Sequence, residues 1–352
     1  MVRTAMGLLA ALLPLTHCAH IVHPGTHWMD TEGNRIEAHA AGMLQSPLDA
    51  RWYWYGETKK EHAGQSATQG INCYSAPSIA GPWTFEGRVL GQDDVVVPGE
   101  HGRWVMQRPK VLFNNRTRRF VLWFHLDQPK RSGKYKFRRV GTATAKLPAG
   151  PFTFVAGFRP DGIPSLDMNL FLDPLDGQAY LIRDCAHDYV GISRLSADYL
   201  NTTEAGVIAK LHTCEGMAMF RLANGTYYLI TSHLTGWNPN PLIAWRSTGT
   251  VLDRSTRWIN LGNPTQDATS FNTQPTYVVR YSPARGPSYF VYMSDNWLHC
   301  GPHGLTDACY TWLPIVLNDS SPLPVQITWR KSWDLNDPSG GSHLSSDGLR
   351  QA

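Results

Sequence analysis

The sequence predicts a single all-β domain folded as a five-bladed β-propeller. The first observation is a phrase, Arg51-Trp-Tyr-Trp-Tyr-Gly-Glu57, that returns in loosened form four more times. The echoes are Arg119-Phe-Val-Leu-Trp-Phe-His125, Gly177-Gln-Ala-Tyr-Leu-Ile-Arg-Asp184, Gly225-Thr-Tyr-Tyr-Leu-Ile-Thr-Ser232 and Pro287-Ser-Tyr-Phe-Val-Tyr-Met-Ser-Asp295. Each is a turn signal, a run of aromatic and β-branched residues, then a polar residue, the pattern of a buried strand that emerges at a surface. The second observation is spacing: Tyr53, Val121, Tyr180, Tyr228 and Phe290 lie 48 to 68 residues apart, the length of a four-stranded blade with its loops. The third is a turn phrase, Ala80-Gly-Pro-Trp-Thr-Phe85, repeated as Ala149-Gly-Pro-Phe-Thr-Phe154. There Gly-Pro fixes a turn and the aromatic plugs the space between neighbouring sheets.

Taken in chain order, residues 1–19 carry Arg3, the apolar stretch Met6 to Leu15 and then small residues, the order of a cleaved secretory signal and too short to span a bilayer. Residues 20–335 hold the five repeats with no Ser/Gly-rich linker between them, so one domain is expected. The stretch 336–352, rich in Ser, Gly and Asp, reads as a disordered tail. No other apolar run approaches the length of a membrane span, and a secreted, monomeric, membrane-free protein is expected. At 42% hydrophobic and 17% charged residues with 24 prolines, the composition suits a packed, loop-rich globular protein.

Export agrees with four Asn-X-Ser/Thr triplets, at Asn115, Asn201, Asn224 and Asn318, which are glycan acceptors in a secreted chain. Once Cys18 leaves with the signal, five cysteines remain. Cys300 and Cys309 bracket a short Gly/Pro-containing loop and are expected to pair; Cys185 with Cys214 is the second pairing considered. No CxxC or clustered His/Cys spacing suggests zinc. The net charge of +4 is concentrated in Lys130-Arg-Ser-Gly-Lys-Tyr-Lys-Phe-Arg-Arg139, and with 28 acidic residues in the chain an anionic polysaccharide is a better acidic partner than nucleic acid.

Polar residues that stand out of apolar strand sequence are the candidates for chemistry: Glu57, Asp167, Glu215, Gln274 and Asp295. Glu215, followed by Gly-Met-Ala-Met-Phe220, faces the partial desolvation that keeps a carboxyl protonated near neutral pH, as a general acid requires.

An ordered series of phrases resembles the exo-β-1,3-galactanase branch of glycoside hydrolase family 43. It comprises Ala38-His-Ala-Ala-Gly42, Tyr53-Trp-Tyr-Gly-Glu57, Arg108-Pro-Lys-Val-Leu-Phe-Asn114, Asp167-Met-Asn-Leu-Phe171, Asp198-Tyr-Leu200 and Glu215-Gly-Met-Ala-Met-Phe220. It continues with Thr235-Gly-Trp-Asn-Pro-Asn240, Gly262-Asn-Pro264, Gln274 and Tyr310-Thr-Trp-Leu-Pro-Ile315. The resemblance implies a five-bladed propeller and an inverting glycosidase, in which an acid protonates the leaving oxygen and a group on the opposite ring face orients water. It implies Glu215 as the acid, Asp167 as the carboxylate that orients it and raises its pKa by like-charge repulsion, and Gln274 as the holder of the water. Two positions depart from the pattern. His39 stands where most of the wider family has an Asp, and Gln107 stands where the galactanase branch has a Glu before Arg-Pro-Lys. A neutral amide positions water without taking its proton, which would leave through an imidic tautomer, a relay, Glu37 or Glu57.

Sugar binding needs aromatic platforms and polar groups around a pocket. Trp237, Tyr135 and, more weakly, Trp297 are the expected platforms; Thr235, Asn240, Gln107, Glu57 and Asp295 are the expected polar partners, and Asn263 is expected to be structural. No cofactor is required on this reading, although a structural calcium ion in the channel would suit the fold. The activity implied is removal of galactose from the non-reducing end of an arabinogalactan-type β-1,3-galactan. An arabinofuranosidase or xylosidase specificity, or a catalytically weak galactan-binding propeller, are the alternatives.

Overall fold

The computed structural model describes residues 20–59, 68–129 and 135–339. The expected signal at 1–19, most of the expected tail (340–352) and the first half of the basic run (130–134) lie outside the described residues. Five four-stranded antiparallel sheets follow one another along the chain, each with its strands in sequence order. They comprise His39–Gln45, Trp52–Glu57, Gly70–Ala76 and Thr84–Gly91; Val105–Asn114, Arg119–Asp127, Arg139–Ala145 and Thr153–Phe158; Met168–Leu172, Ala179–Asp184, Val190–Leu195 and Thr202–Leu211; Glu215–Arg221, Tyr227–Ser232, Ile243–Ser247 and Trp258–Asn260; and Gln274–Tyr281, Tyr289–Asn296, Cys309–Leu317 and Val325–Ile327. These are the five blades of a propeller. First strands of adjacent blades lie against one another and ring the central channel.

The recurring aromatic phrase is the second strand of every blade, one step out from the channel. Its alternating side chains fill the seams on both sides of each sheet. Tyr53 and Tyr55 pack with Phe113, Phe120 and Phe124 between the first two blades, and Val121 and Trp123 with Leu170 and Leu181 between the second and third. Tyr180 and Ile182 pack with Met219, Tyr227 and Leu229 between the third and fourth. The two Gly-Pro phrases behave as read: Trp83 and Phe152 are buried plugs, set against Trp54 and Tyr55 at centroid distances of 5.3 and 6.2 Å.

Closure of the ring uses residues outside the blades. Ile21–Val22 pairs antiparallel with Trp333–Asp334, and Leu335 N–H donates to the His20 carbonyl at 3.0 Å. Beneath this ribbon Trp28, Trp54, Trp312 and Tyr310 form one aromatic knot, with centroids 4.4 to 4.8 Å apart along Trp28–Trp312, Trp54–Trp312 and Trp54–Tyr310.

One device repeats at the start of the first strands. Pairing slips by a residue between His39 and Gly42, Gln107 and Lys110, Glu215 and Ala218, and Pro275 and Tyr277. In three of these bulges the residue after the leading polar one is left-handed: Ala40 (φ 49°), Arg108 (φ 54°) and Gly216 (φ 60°). Such bulges bend a strand and re-aim side chains, and they cluster at functional sites.

Cys300 and Cys309 are joined as expected. The pairing of Cys185 with Cys214 is corrected: both are free and buried, and each thiol turns to the carbonyl two residues back along the chain, Arg183 and His212 respectively. Among the described residues no helix is long and apolar enough to cross a membrane.

Candidate active site

First strands begin, and second strands finish, at one end of the ring. That alternation gathers at one channel mouth the leading residues Gln107, Arg108, Glu215 and Gln274, with Asp167 one residue ahead of its strand, and the closing residues Glu57, His125, Ser232 and Asp295. Asp167, Glu215 and Gln274 sit where inner strands start, whereas Glu57 and Asp295 lie where second strands finish.

Asp167 and Glu215 meet at this mouth through the bulge after Glu215. Gly216 N–H donates to Asp167 Oδ2 at 3.1 Å, which requires the left-handed turn of Gly216. A Cβ there would come to 3.0 Å from Gln274 Cγ and Ser232 Oγ, so any larger residue after Glu215 would crowd both. Arg108 Nε lies 2.7 Å from Asp167 Oδ1. Burial would raise the Asp167 pKa, but the Arg108 charge and hydrogen bond, with the Gly216 amide, hold it below the usual carboxylate value. Glu215 goes the other way: burial first and the Asp167 charge second lift it to about 8, against the opposing pull of Arg108 and a hydrogen bond from Gln274. Near neutral pH the site therefore holds one carboxylate and one carboxylic acid, their environments pushed apart.

Gln274 is locked on all sides. Its Oε1 accepts from Arg108 Nη2 at 2.5 Å and from Trp297 Nε1 at 3.0 Å. Both partners are donors only, which settles the amide orientation. Nε2 then donates to Glu215 Oε1 and to Ser232 Oγ, each at 3.1 Å. All four hydrogen-bonding positions of the amide are engaged, so a water held by Gln274 must replace one of these partners.

On the other side of the mouth, Gln107 Oε1 accepts from Tyr135 O–H at 2.9 Å and lies 3.3 Å from His125 Nδ1. His125 Nε2 is 3.3 Å from Asp127, whose two oxygens accept the backbone N–H groups of Gln128, Lys136, Phe137 and Arg138. Asp127 thus pins the segment that delivers Tyr135. Trp237 also reaches the mouth, edge-on to Trp297 at 5.1 Å with Lys59 Nζ 4.8 Å from its ring.

Other expected sugar contacts serve the scaffold. Asp295 is 2% exposed; it accepts from Ala40 N–H at 2.5 Å and stands 3.5 Å from His39 Nδ1. His39, fully buried, lies 3.7 Å from Glu37 by its other nitrogen and stacks on Tyr310 at 4.9 Å. Burial alone would depress His39, but the facing carboxylates of Asp295 and Glu37 hold it at about 9. His39 is therefore a buried cation between two carboxylates. Glu57, 1% exposed, pairs with Lys59 at 3.1 Å, and burial raises its pKa. Thr235 and Asn240 fold the loop that carries Trp237: Asn240 Nδ2 donates to Thr235 Oγ1 at 2.7 Å, and Asn240 Oδ1 accepts from His233 N–H. Asn263 is structural, bonded to Thr265 and Asp267. Among the described residues no three His, Cys, Asp or Glu side chains group as a metal set.

Sequence reasoning missed Arg108, His125, Asp127 and Ser232. The signal for the last three was in the repeat itself, since each lies at or just beyond the polar close of a second-strand phrase.

No family model and no curated protein matches the chain. Among solved structures it is similar to an exo-β-1,3-galactanase from Clostridium thermocellum, at 29% identity and TM-score 0.75 over 89% of this chain and 66% of that one. A Glu-to-Gln variant of an exo-β-1,3-galactanase from Phanerochaete chrysosporium with β-1,3-galactotriose matches at 30% identity and TM-score 0.75, over 91% of this chain and 69% of that one. A family 43 β-1,3-galactosidase with galactodeoxynojirimycin matches at 29% identity and TM-score 0.76, over 89% of this chain and 100% of that one. The chain thus spans about two thirds of the first two proteins and the whole of the third. With the five blades, the paired carboxylates of opposite protonation and these likenesses together, the chain belongs to glycoside hydrolase family 43.

Proposed function

We propose that the protein is an exported, inverting exo-β-1,3-galactanase that releases galactose from the non-reducing end of arabinogalactan-type β-1,3-galactan. The observation that carries this reading is the Asp167–Glu215 pair: an acid lifted to about 8 by burial and by a neighbouring carboxylate that Arg108 keeps ionised. Glu215 donates its proton to the leaving glycosidic oxygen, and the carboxylate left behind is met by Gln274 Nε2. Asp167 orients the acid and holds its proton in place until transfer. Gln274 sets the direction of the Glu215 carboxyl and, by exchanging its Ser232 bond, orients the incoming water, whose oxygen bonds the anomeric carbon as the glycosidic C–O bond breaks; the proton that water loses passes to solvent, from which Glu215 is reprotonated. Trp237 and Tyr135 flank the sugar, with Gln107 bonding a galactose hydroxyl. The relatives' names, a galactanase and a galactosidase crystallised with β-1,3-galactotriose and galactodeoxynojirimycin, support this substrate over arabinan or xylan.

NMR of the first product formed from β-1,3-galactobiose tests the reading, with α-galactose expected; a β product would mean retention. Glu215→Gln is expected to lower kcat by about 10²–10⁴-fold, the contribution of a placed general acid, with KM little changed. Release of arabinose or xylose instead of galactose would move the assignment to another specificity within the family.

A further inference from the structure

The four Asn-X-Ser/Thr triplets are scattered over 204 residues of sequence, from Asn115 to Asn318, yet the fold brings them to one end of the ring. Asn115 opens the hairpin between Val105–Asn114 and Arg119–Asp127, and Asn224 lies in the hairpin between Glu215–Arg221 and Tyr227–Ser232. Asn201 and Asn318 lie in the connections from third to fourth strand of the third and fifth blades. In an antiparallel blade both kinds of connection sit opposite the end where first strands begin, and so opposite the mouth that holds Asp167, Glu215 and Gln274. All four asparagines are exposed. Two of the turns touch, Asn114 Nδ2 donating to Ala197 O at 3.0 Å.

A fifth triplet, Asn263-Pro-Thr265, falls in the connection that leads into Gln274, on the mouth side. Proline in the middle position disqualifies it as an acceptor. The end that bears the four open triplets also exposes Leu48, Leu147, Leu172, Leu175, Val251 and Val316. Val251 adjoins the Asn224 turn, where Arg221 Nη2 donates to Thr250 O at 2.6 Å.

We propose that this end is an N-glycosylated face: oligosaccharides on Asn115, Asn201, Asn224 and Asn318 cover its leucines and valines and leave the catalytic mouth bare for a polymeric glycan. In each transfer the asparagine Nδ2 forms a bond to the anomeric carbon of a lipid-diphosphate-linked oligosaccharide. The bond from that carbon to the diphosphate oxygen breaks, the lipid diphosphate leaves, and the amide nitrogen gives up one proton. The proposal rests on export of the chain.

The full chain is expressed in a eukaryotic secretory host, once with its own first 19 residues and once with a host leader in their place. Microsomal and secreted protein are treated with peptide N-glycosidase in heavy-oxygen water and the peptides are mapped. Labelled aspartate is expected at all four positions. Unlabelled asparagine at most of them in the host-leader protein would overturn the proposal, whereas failure of the native-leader protein alone to reach the microsomes would overturn only the export reading. Trimming the glycans of the folded protein to single sugars with an endoglycosidase is expected to increase light scattering at constant turnover of a soluble β-1,3-galactoside. Unchanged scattering would overturn the shielding role, and a changed turnover would show that the glycans reach the mouth.

Discussion

At the scale of single residues, the site works by separating two carboxyl groups that share a buried mouth. On the proposed mechanism Glu215 acts as the protonated acid, so kcat/KM is expected to fall as pH rises through about 8. Asp167→Asn removes the negative charge that helps retain that proton and leaves Arg108 pulling the other way. The alkaline limb of the pH profile should therefore move to lower pH, measured on a soluble disaccharide; a limb that stays put would mean that Asp167 has no electrostatic hold on the acid. His39 makes an independent pH-dependent contribution to stability. Its folded pKa, about 9, lies above the ordinary 6.5, so its stabilisation is complete below about 6.5 and is lost as pH rises through about 9. In His39→Gln, thermal melting followed from pH 6 to 10 is expected to start lower and to fall less steeply across that window. Much of this scale was legible: Glu215, Asp167, Gln274, Gln107, Tyr135 and Trp237 all reach the mouth. What could not be read was the direction in which polar atoms are used. Asp295 and Asn240 have the chemistry of sugar ligands, and only three-dimensional placement shows their oxygens taken by the Ala40 and His233 amides.

At the scale of elements, the bulges at the heads of the first strands convert a regular sheet into a site. Their left-handed residue lets the leading side chain turn into the mouth while the rest of the strand keeps its register. Gly216→Ala imposes a Cβ on a φ of 60° and brings it to 3.0 Å from Gln274 and Ser232. The backbone penalty alone is about 1–2 kcal/mol, and moving Gln274 also releases Glu215. A drop in Tm together with a larger fall in kcat than in 1/KM is expected, from calorimetry and steady-state kinetics. The second strands were plain in the sequence because aromatic and β-branched residues alternate there under strong packing constraint. The bulges were not, since two of the three left-handed positions are Ala40 and Arg108, residues whose identity gives no turn signal.

At the scale of the whole molecule, every blade is made from contiguous chain, so no strand is shared between the first and last blades. The seam between them depends on the ribbon of Ile21–Val22 with Trp333–Asp334 and on the aromatic knot beneath it. Trp333 is 4% exposed, and its indole N–H donates to the Trp312 carbonyl at 2.8 Å. Trp333→Ala is expected to cost about 3–5 kcal/mol, read from denaturant unfolding. Hydrogen exchange should rise first in His39–Gln45 and Gln274–Tyr281, the strands on either side of the seam. Blade number was legible because the repeat period counts blades directly. Ring closure was not, because two residues at each end carry no periodic signal.

Because the ribbon sets His20 beside Leu335, the stretch from 20 to 335 is a circle in all but one covalent link. A short peptide joining those two residues, with a new opening cut in the turn at Asn115 to Arg118, would renumber the blades without moving any side chain at the mouth. Such a permuted chain should hydrolyse its glycan as the parent does, although its first blade, His39 to Gly91, is now synthesised after Asp167 and Glu215 instead of before them.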